Sequence, residues 1–278
     1  MPGSATTTEH AVHTYHHGRH EHGQNFLTHA PAIAEIVGLV AASHGPIVEI
    51  GAGDGALTTP LARIGRPLTA IEIDPRLAAD LRRRLPRQVR VLTEDFLHHR
   101  LPTSPHVLVG NLPFHHTTAI LRRILHAPGW TGAVLLTQWE VARRRAGVGR
   151  ATMMTTQWAP WFTFALHGRV PARAFTPRPG VDGGIMTIHR REQPALPASQ
   201  RRRFQALVHR VYTGPGRGAA QILARTTSLG SASAARRWLA GHGLGPDIHP
   251  GDIPLDAWID LFRTTGGSPP RGRSPRGR

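Results

Sequence analysis

The chain has 278 residues and no cysteine, with 34 basic residues against 17 acidic ones and a formal net charge of +17. That length suits one large domain with a small second one, and the missing cysteine excludes disulfides and thiolate metal sites. No apolar run approaches the roughly 18 residues of a membrane span, and no apolar signal core opens the chain, so a cytoplasmic protein without membrane contact is expected. Every basic residue is arginine. Beside so much Ala, Gly and Pro this reflects coding bias in a GC-rich genome, so the sign of the charge carries information and the preference for Arg does not. A large positive excess favours a polyanionic partner, either nucleic acid or an acidic membrane surface. The lack of a basic amphipathic anchor favours nucleic acid.

Residues 1–22 are rich in Thr, His and Gly with no hydrophobic period, and read as a disordered arm. Its six histidines have no ordered framework, and no metal site is expected. From Pro31 a helical face emerges, with Ile33, Ile36, Val37 and Val40 in phase until Gly45-Pro46. Strands and helices then alternate. The strands are Ile47–Ile50, Leu68–Ile71, Val89–Leu92, Val107–Val109 and Ala133–Thr137. The helices are Ala56–Ile64, Pro75–Leu85 and Thr117–Leu125. Short apolar strands between amphipathic helices indicate a parallel sheet covered on both faces. Segments Phe162–Leu166 and Gly184–His189 suit an antiparallel hairpin at its edge. Pro194–Ser199 reads as a linker, followed by helical patterns near 204–211, 219–223, 234–239 and 255–262. The expected organisation is therefore an arm to 22, an α/β domain over 23–193, a small helical domain over 194–263 and a basic tail over 264–278.

The first strand runs into VEIGAGDGALT, where Gly51, Gly53 and Gly55 permit a tight turn with close approach to a ligand. The spacing is GxGxG, not the GxGxxG of dinucleotide enzymes. Glu72 ends the second strand, where a carboxylate can accept both hydroxyls of a ribose, and Asp95 ends the third, within reach of an adenine amino group. A nicotinamide dinucleotide and S-adenosylmethionine both fit; a turn that need not cradle a pyrophosphate leans toward the second.

The fourth strand ends in GNLPFHHTT, residues 110–118. An exocyclic amino nitrogen is a poor nucleophile because its lone pair is delocalised into the base. Acceptors on its two N–H groups hold it and aim the lone pair at a sulfonium methyl. The Asn111 side-chain oxygen and the Leu112 carbonyl are candidates for those acceptors. Pro113 restricts Leu112 to an extended conformation and so aims its carbonyl. Phe114 offers a flat face for a base, which must leave its helix to be reached. No metal is required.

Taken together, GQNFL (23–27), EIGAGDG (49–55), EID (72–74), EDF (94–96), NLPF (111–114) and AFTPRPGVDG (174–183) resemble the ribosomal RNA adenine N6-methyltransferases. The resemblance is greatest to the erythromycin-resistance branch, which QWEVARRRAGVG and TMMTTQWAPWF also favour, and it spans about residues 23–262. It implies a Rossmann-like class I methyltransferase sheet with a small C-terminal α-helical domain, acting as a monomer. It further implies methyl transfer from S-adenosylmethionine to one adenine in the peptidyl-transferase region of 23S rRNA, which blocks macrolide, lincosamide and streptogramin B binding. Carried over by motif, Asn25, Leu27, Gly51, Glu72, Asp95 and Asn111 would contact the cofactor. Phe114 would stack on the target adenine, and Phe175 would close its other face. The alternatives are a small-subunit rRNA dimethyladenosine transferase and a non-catalytic nucleic-acid-binding relative. Arginine clusters 82–84, 122–123, 143–145 and 201–203 are candidate phosphate contacts, with 143–145 ranked first for its place after the fifth strand.

Overall fold

The computed structural model describes residues 25–267. The arm over 1–22 and all but the first residues of the basic tail lie outside them. The described chain begins with a two-residue strand, β1 (Phe26–Leu27), and helix α1 (Ala30–Ala41). His29 caps α1 by accepting the Ala32 amide at 3.3 Å, and Ala32, Ile36 and Val40 form its buried face. Five strands follow with helices between them: β2 (Ile47–Ile50), α2 (Thr58–Ala62), β3 (Leu68–Glu72), α3 (Pro75–Arg84), β4 (Val89–Thr93), β5 (His106–Asn111), α4 (Thr117–His126) and β6 (Trp130–Gln138). Helix α2 is shorter than the pattern predicts. Its last residues carry no i→i−4 bond, because Arg63 and Ile64 bond back only three residues.

After β6 come α5 (Trp139–Arg145), α6 (Met153–Trp158), β7 (Phe162–Val170), β8 (Phe175–Thr176) and β9 (Gly183–Arg190). The seven-stranded sheet has the order β4-β3-β2-β5-β6-β9-β7. The first five strands are parallel, and β9 lies antiparallel between β6 and β7. The hairpin expected at the edge is thus present, with β7 outermost. The small strands β1 and β8 pair with each other, bringing Leu27 opposite Phe175. Neither was legible as a strand, since two residues show no period.

Helices α7 (Arg201–Thr213), α8 (Ala219–Thr226), α9 (Ala232–Gly241) and α10 (Leu255–Thr265) complete the described chain. Helix α10 runs past Phe262, so the first positions assigned to the tail are helical. Nor does the stretch before α7 behave as a free linker: Leu196 is buried and the Ala195 amide bonds the Pro160 carbonyl at 2.9 Å. One hydrophobic core continues from Leu108 and Trp130 of the sheet through Trp158 and Trp161 to Phe204, Trp258 and Phe262 of the helices. Polar ties reinforce that junction. The Tyr212 hydroxyl bonds Thr156 Oγ1 at 2.7 Å and donates to the Ala151 carbonyl at 3.0 Å, and Arg150 pairs with Asp252 at 3.0 Å.

Candidate active site

Parallel strands deliver their carboxyl ends to one edge, and a cleft opens there. Of the residues expected to act, Asn25, Leu27, Gly51, Glu72, Asp95, Asn111, Leu112, Pro113 and Phe114 line it, and Phe175 does not. Chain positions 86 residues apart meet at its centre. Asn111 Nδ2 donates to the Asn25 backbone carbonyl at 2.8 Å. That bond fixes the amide and leaves Oδ1 as the acceptor end. Asn25 is tied to Asn111 through its main-chain carbonyl. Strand β5 reaches this position only because residue 110 is glycine: a Cβ there would sit 2.6 Å from the Ile50 carbonyl of β2.

The turn after Asn111 is braced from below. The Leu112 amide bonds the Leu136 carbonyl at 2.8 Å, and the His116 amide bonds the Pro113 carbonyl at 3.0 Å. Thr117 Oγ1 lies 3.3 Å from the Pro113 and Phe114 carbonyls and 2.8 Å from Thr137 Oγ1, deep in the core. Phe114 stays partly exposed at the cleft mouth. Phe175 meets it edge-on, with ring centroids 6.1 Å apart at 73°, and is itself only 2% exposed. Phe175 thus supports Phe114 from the side and presents no second face to a base, contrary to expectation. Its burial in the core with Leu27, Leu136 and Ile185 could not be read from the motif.

On the other side of the cleft, Gly51 and Gly53 adopt φ of +69° and +57° after β2. The Gly53 amide donates to Glu72 Oε2 at 2.7 Å and the Asp74 amide to Oε1 at 2.9 Å. Glu72 therefore builds the glycine turn as well as facing the cleft. Asp95 accepts the Leu97 amide at 2.8 Å and lies 3.0 Å from His98 Nδ1, which shapes the loop after β4. Ile73 is 44% exposed although large and apolar, beside Glu72 in the same cleft. An apolar platform next to a ribose-type acceptor suits a purine nucleoside. Ile73 is the middle residue of EID, and nothing in the local pattern marks it for this role.

A family model described as "Ribosomal RNA adenine dimethylase" matches residues 15–251. The chain belongs to that family. It is 59% identical over 212 residues to an rRNA adenine N-6-methyltransferase of Corynebacterium diphtheriae, covering 76% of this chain and 84% of that protein. It is 45% identical over 268 residues to the mycinamicin-resistance protein MyrB of Micromonospora griseorubida, covering 94% and 85%. Among solved structures, the 23S rRNA methyltransferase ErmE superposes with a TM-score of 0.78 at 33% identity, covering 87% of this chain and all of that one. The protein is an rRNA adenine N6-methyltransferase with a Rossmann-like sheet, and its family uses a methyl donor of the S-adenosylmethionine type.

Glu49 of this methyltransferase, the first acid of EIGAGDG, is a site residue that the sequence left without a role. It is 1% exposed at the cleft floor, and neither its Oε2 nor Thr58 Oγ1 finds a hydrogen-bond partner among the described residues. Burial, opposed by the nearby Thr58 hydroxyl and reinforced by Glu72 and Asp54, pushes its carboxyl up to about 8. At neutral pH Glu49 is therefore mostly a neutral acid.

The fold also sorts the arginine clusters. Arg82 bonds Val91 and Thr93, Arg83 and Arg84 hold Asp80, and Arg123 holds the Phe96 and His99 carbonyls. Arg143 pairs with Glu140 at 3.0 Å and Arg145 bonds Thr152 at 3.1 Å. Arg201 lies over Trp158 and Arg203 bonds Gly266. Cluster 143–145 is thus two structural ties around Arg144, whose guanidinium makes no hydrogen bond with a described residue and acts on Glu140 only through its charge. Arg145 is held below the usual arginine range, first by burial and then by repulsion from Arg122 and Arg144. Three guanidinium groups converge there.

Proposed function

We propose that this methyltransferase transfers a methyl group from S-adenosylmethionine to N6 of one adenine in the peptidyl-transferase region of 23S rRNA, conferring macrolide, lincosamide and streptogramin B resistance. The observation that carries the chemistry is the Asn111–Asn25 bond, which leaves the Asn111 oxygen as an acceptor beside Phe114. The choice of 23S rRNA is supported by the relatives, which include a macrolide-resistance protein and a 23S rRNA enzyme matched along nearly the full chain.

The donor set of the cleft fits the cofactor. Ile73 offers a face for its adenine, Asp95 an acceptor for the adenine amino group, and Glu72 acceptors for the ribose hydroxyls. The open side of Gly51, where a Cβ would touch nothing, leaves room for close approach. The bound cofactor supplies an electrophilic methyl on a sulfonium. The chain's own residues do the rest. Phe114 stacks on the extruded adenine, and Asn111 Oδ1 and the Leu112 carbonyl accept its two amino hydrogens. This favours a pyramidal nitrogen whose lone pair faces the methyl. As the N–C bond forms, the methyl's bond to sulfur would break with its electron pair left on the neutral thioether, and the nitrogen sheds one proton to solvent. Rate comes from positioning, so no metal or strong base is needed.

The test is methyl transfer from labelled cofactor to purified 23S and 16S rRNA, with the modified base mapped. Label on one adenine of the 23S peptidyl-transferase region is expected. Label confined to 16S rRNA would assign the enzyme to small-subunit maturation instead.

A further inference from the structure

A second hollow, of about 530 Å³, runs beside α4 outside the cleft. Leu97 lines both, so the groove begins where the cleft ends. Leu101 and Pro128 continue its apolar floor, and Arg100, Arg122 and His126 form its rim. The wall is built rather than incidental. Arg123 donates to the Phe96 carbonyl at 3.0 Å and to the His99 carbonyl, tying the loop after β4 against the helix. His126 is held by its Nδ1 at 2.8 Å from the Arg122 carbonyl and by an edge-on contact with Trp158.

The charges on this rim are unbalanced. Arg100 and Arg122 are exposed, and their guanidinium groups make no hydrogen bond or ion pair with any described residue. The acids near the loop, Glu94 and Asp95, face His99 and His98. An apolar floor between two unpaired cations suits a base flanked by phosphates. The ten residues of α4 span about 15 Å at 1.5 Å each, more than one nucleotide needs.

We propose that this groove is a second nucleotide subsite, which receives the RNA strand adjoining the flipped adenine. Phosphates rest on Arg100 and Arg122, and a base lies against Leu97, Leu101 and Pro128. The subsite rests on the RNA-methylating reading above. Its role is to register the strand, so that the adenine entering the cleft is the one at a fixed distance from the groove.

The experiment compares the parent with an Arg100→Ala/Arg122→Ala double variant and with Thr103→Trp, which obstructs the groove while keeping both charges. Binding of an RNA hairpin carrying the target adenine is followed by anisotropy across a salt series, beside methyl transfer, cofactor affinity and thermal unfolding. The double variant is expected to bind RNA at least about tenfold more weakly, with a salt slope lower by roughly 1.4–1.8 for two lost phosphate contacts. Thr103→Trp should weaken RNA binding with the charges intact. Both should melt like the parent and bind cofactor equally well. Parental affinity and slope in both variants would overturn the subsite. So would displacement of the RNA by a free nucleoside monophosphate at comparable concentration, since the groove would then serve a small molecule. A parent that binds RNA through the groove yet transfers no methyl would sink the reaction and leave the subsite standing.

Discussion

The carboxyl edge of the sheet and the C-terminal helices handle polar groups in opposite ways. Among α7–α10 several polar side chains are fully committed to the fold. Asp260 accepts Trp238 Nε1 at 2.7 Å and faces His242 Nε2 at 3.1 Å, while the Tyr212 hydroxyl bonds Thr156 and Ala151. At the sheet edge the polar groups are fixed but not exhausted. Asn111 is held by its nitrogen and keeps its oxygen, and Glu72, held by the Gly53 and Asp74 amides, still lines the cleft. A polar residue serves chemistry where the fold orients it and leaves part of its capacity unused.

The sharpest break of this contrast is Asn111→Ala. It should cut methyl transfer by two orders of magnitude or more, with a stability loss of only about 1 kcal/mol for its one side-chain hydrogen bond among the described residues. Turnover beside thermal unfolding checks it; near-normal turnover in a stable variant would make Asn111 a mere cap. Phe114→Ala comes next. Loss of one stacking face costs roughly 1–3 kcal/mol, read as weaker productive RNA binding, whereas Phe114→Tyr should stay active. Glu72→Ala should weaken S-adenosylmethionine binding by roughly 1–3 kcal/mol. It should also lower the melting temperature, because the Gly53 and Asp74 amides lose their acceptor. Unchanged calorimetric affinity would remove Glu72 from the site.

Glu49→Gln tests burial by pH. A carboxyl raised from 4.5 to about 8 binds its proton more tightly in the fold than in the unfolded chain. Its contribution is therefore complete below pH 4.5 and is lost as pH rises through 8. The Gln variant should melt like the parent near pH 5 and above it at pH 9. Smallest of all, Trp238→Phe should cost about 1 kcal/mol of stability for one hydrogen bond and leave turnover per folded molecule unchanged. A selective loss of turnover would mean that the helices share in the chemistry.

The sequence carried the frame of the site because its signals are local. Apolar strand runs end at Glu72, Asp95 and Asn111, and a parallel sheet sends those ends to one edge. What it could not carry were partners distant along the chain. Arg84 divides its bonds between nearby Asp80 and the Asp54 carbonyl, 30 residues away, and Arg123 is tied to a loop 24 to 27 residues back. The burial of Phe175 in the core with Leu27 joins opposite ends of the sheet domain. Glu49 was visible in its motif, but its protonation follows from packing that no pattern encodes.

Gly110 has a consequence for how this enzyme tolerates mutational drift. Every other amino acid carries the Cβ that would sit 2.6 Å from the Ile50 carbonyl, and that atom is backbone, with no side chain to swing aside. Alanine, the smallest step available, already wedges β5 from β2 immediately before Asn111. No graded series of replacements therefore exists at this position, and third-base changes are its only neutral ones. A library randomised at codon 110 and selected for methyl transfer should return glycine alone, while the same library at exposed codon 118 should return a broad mixture.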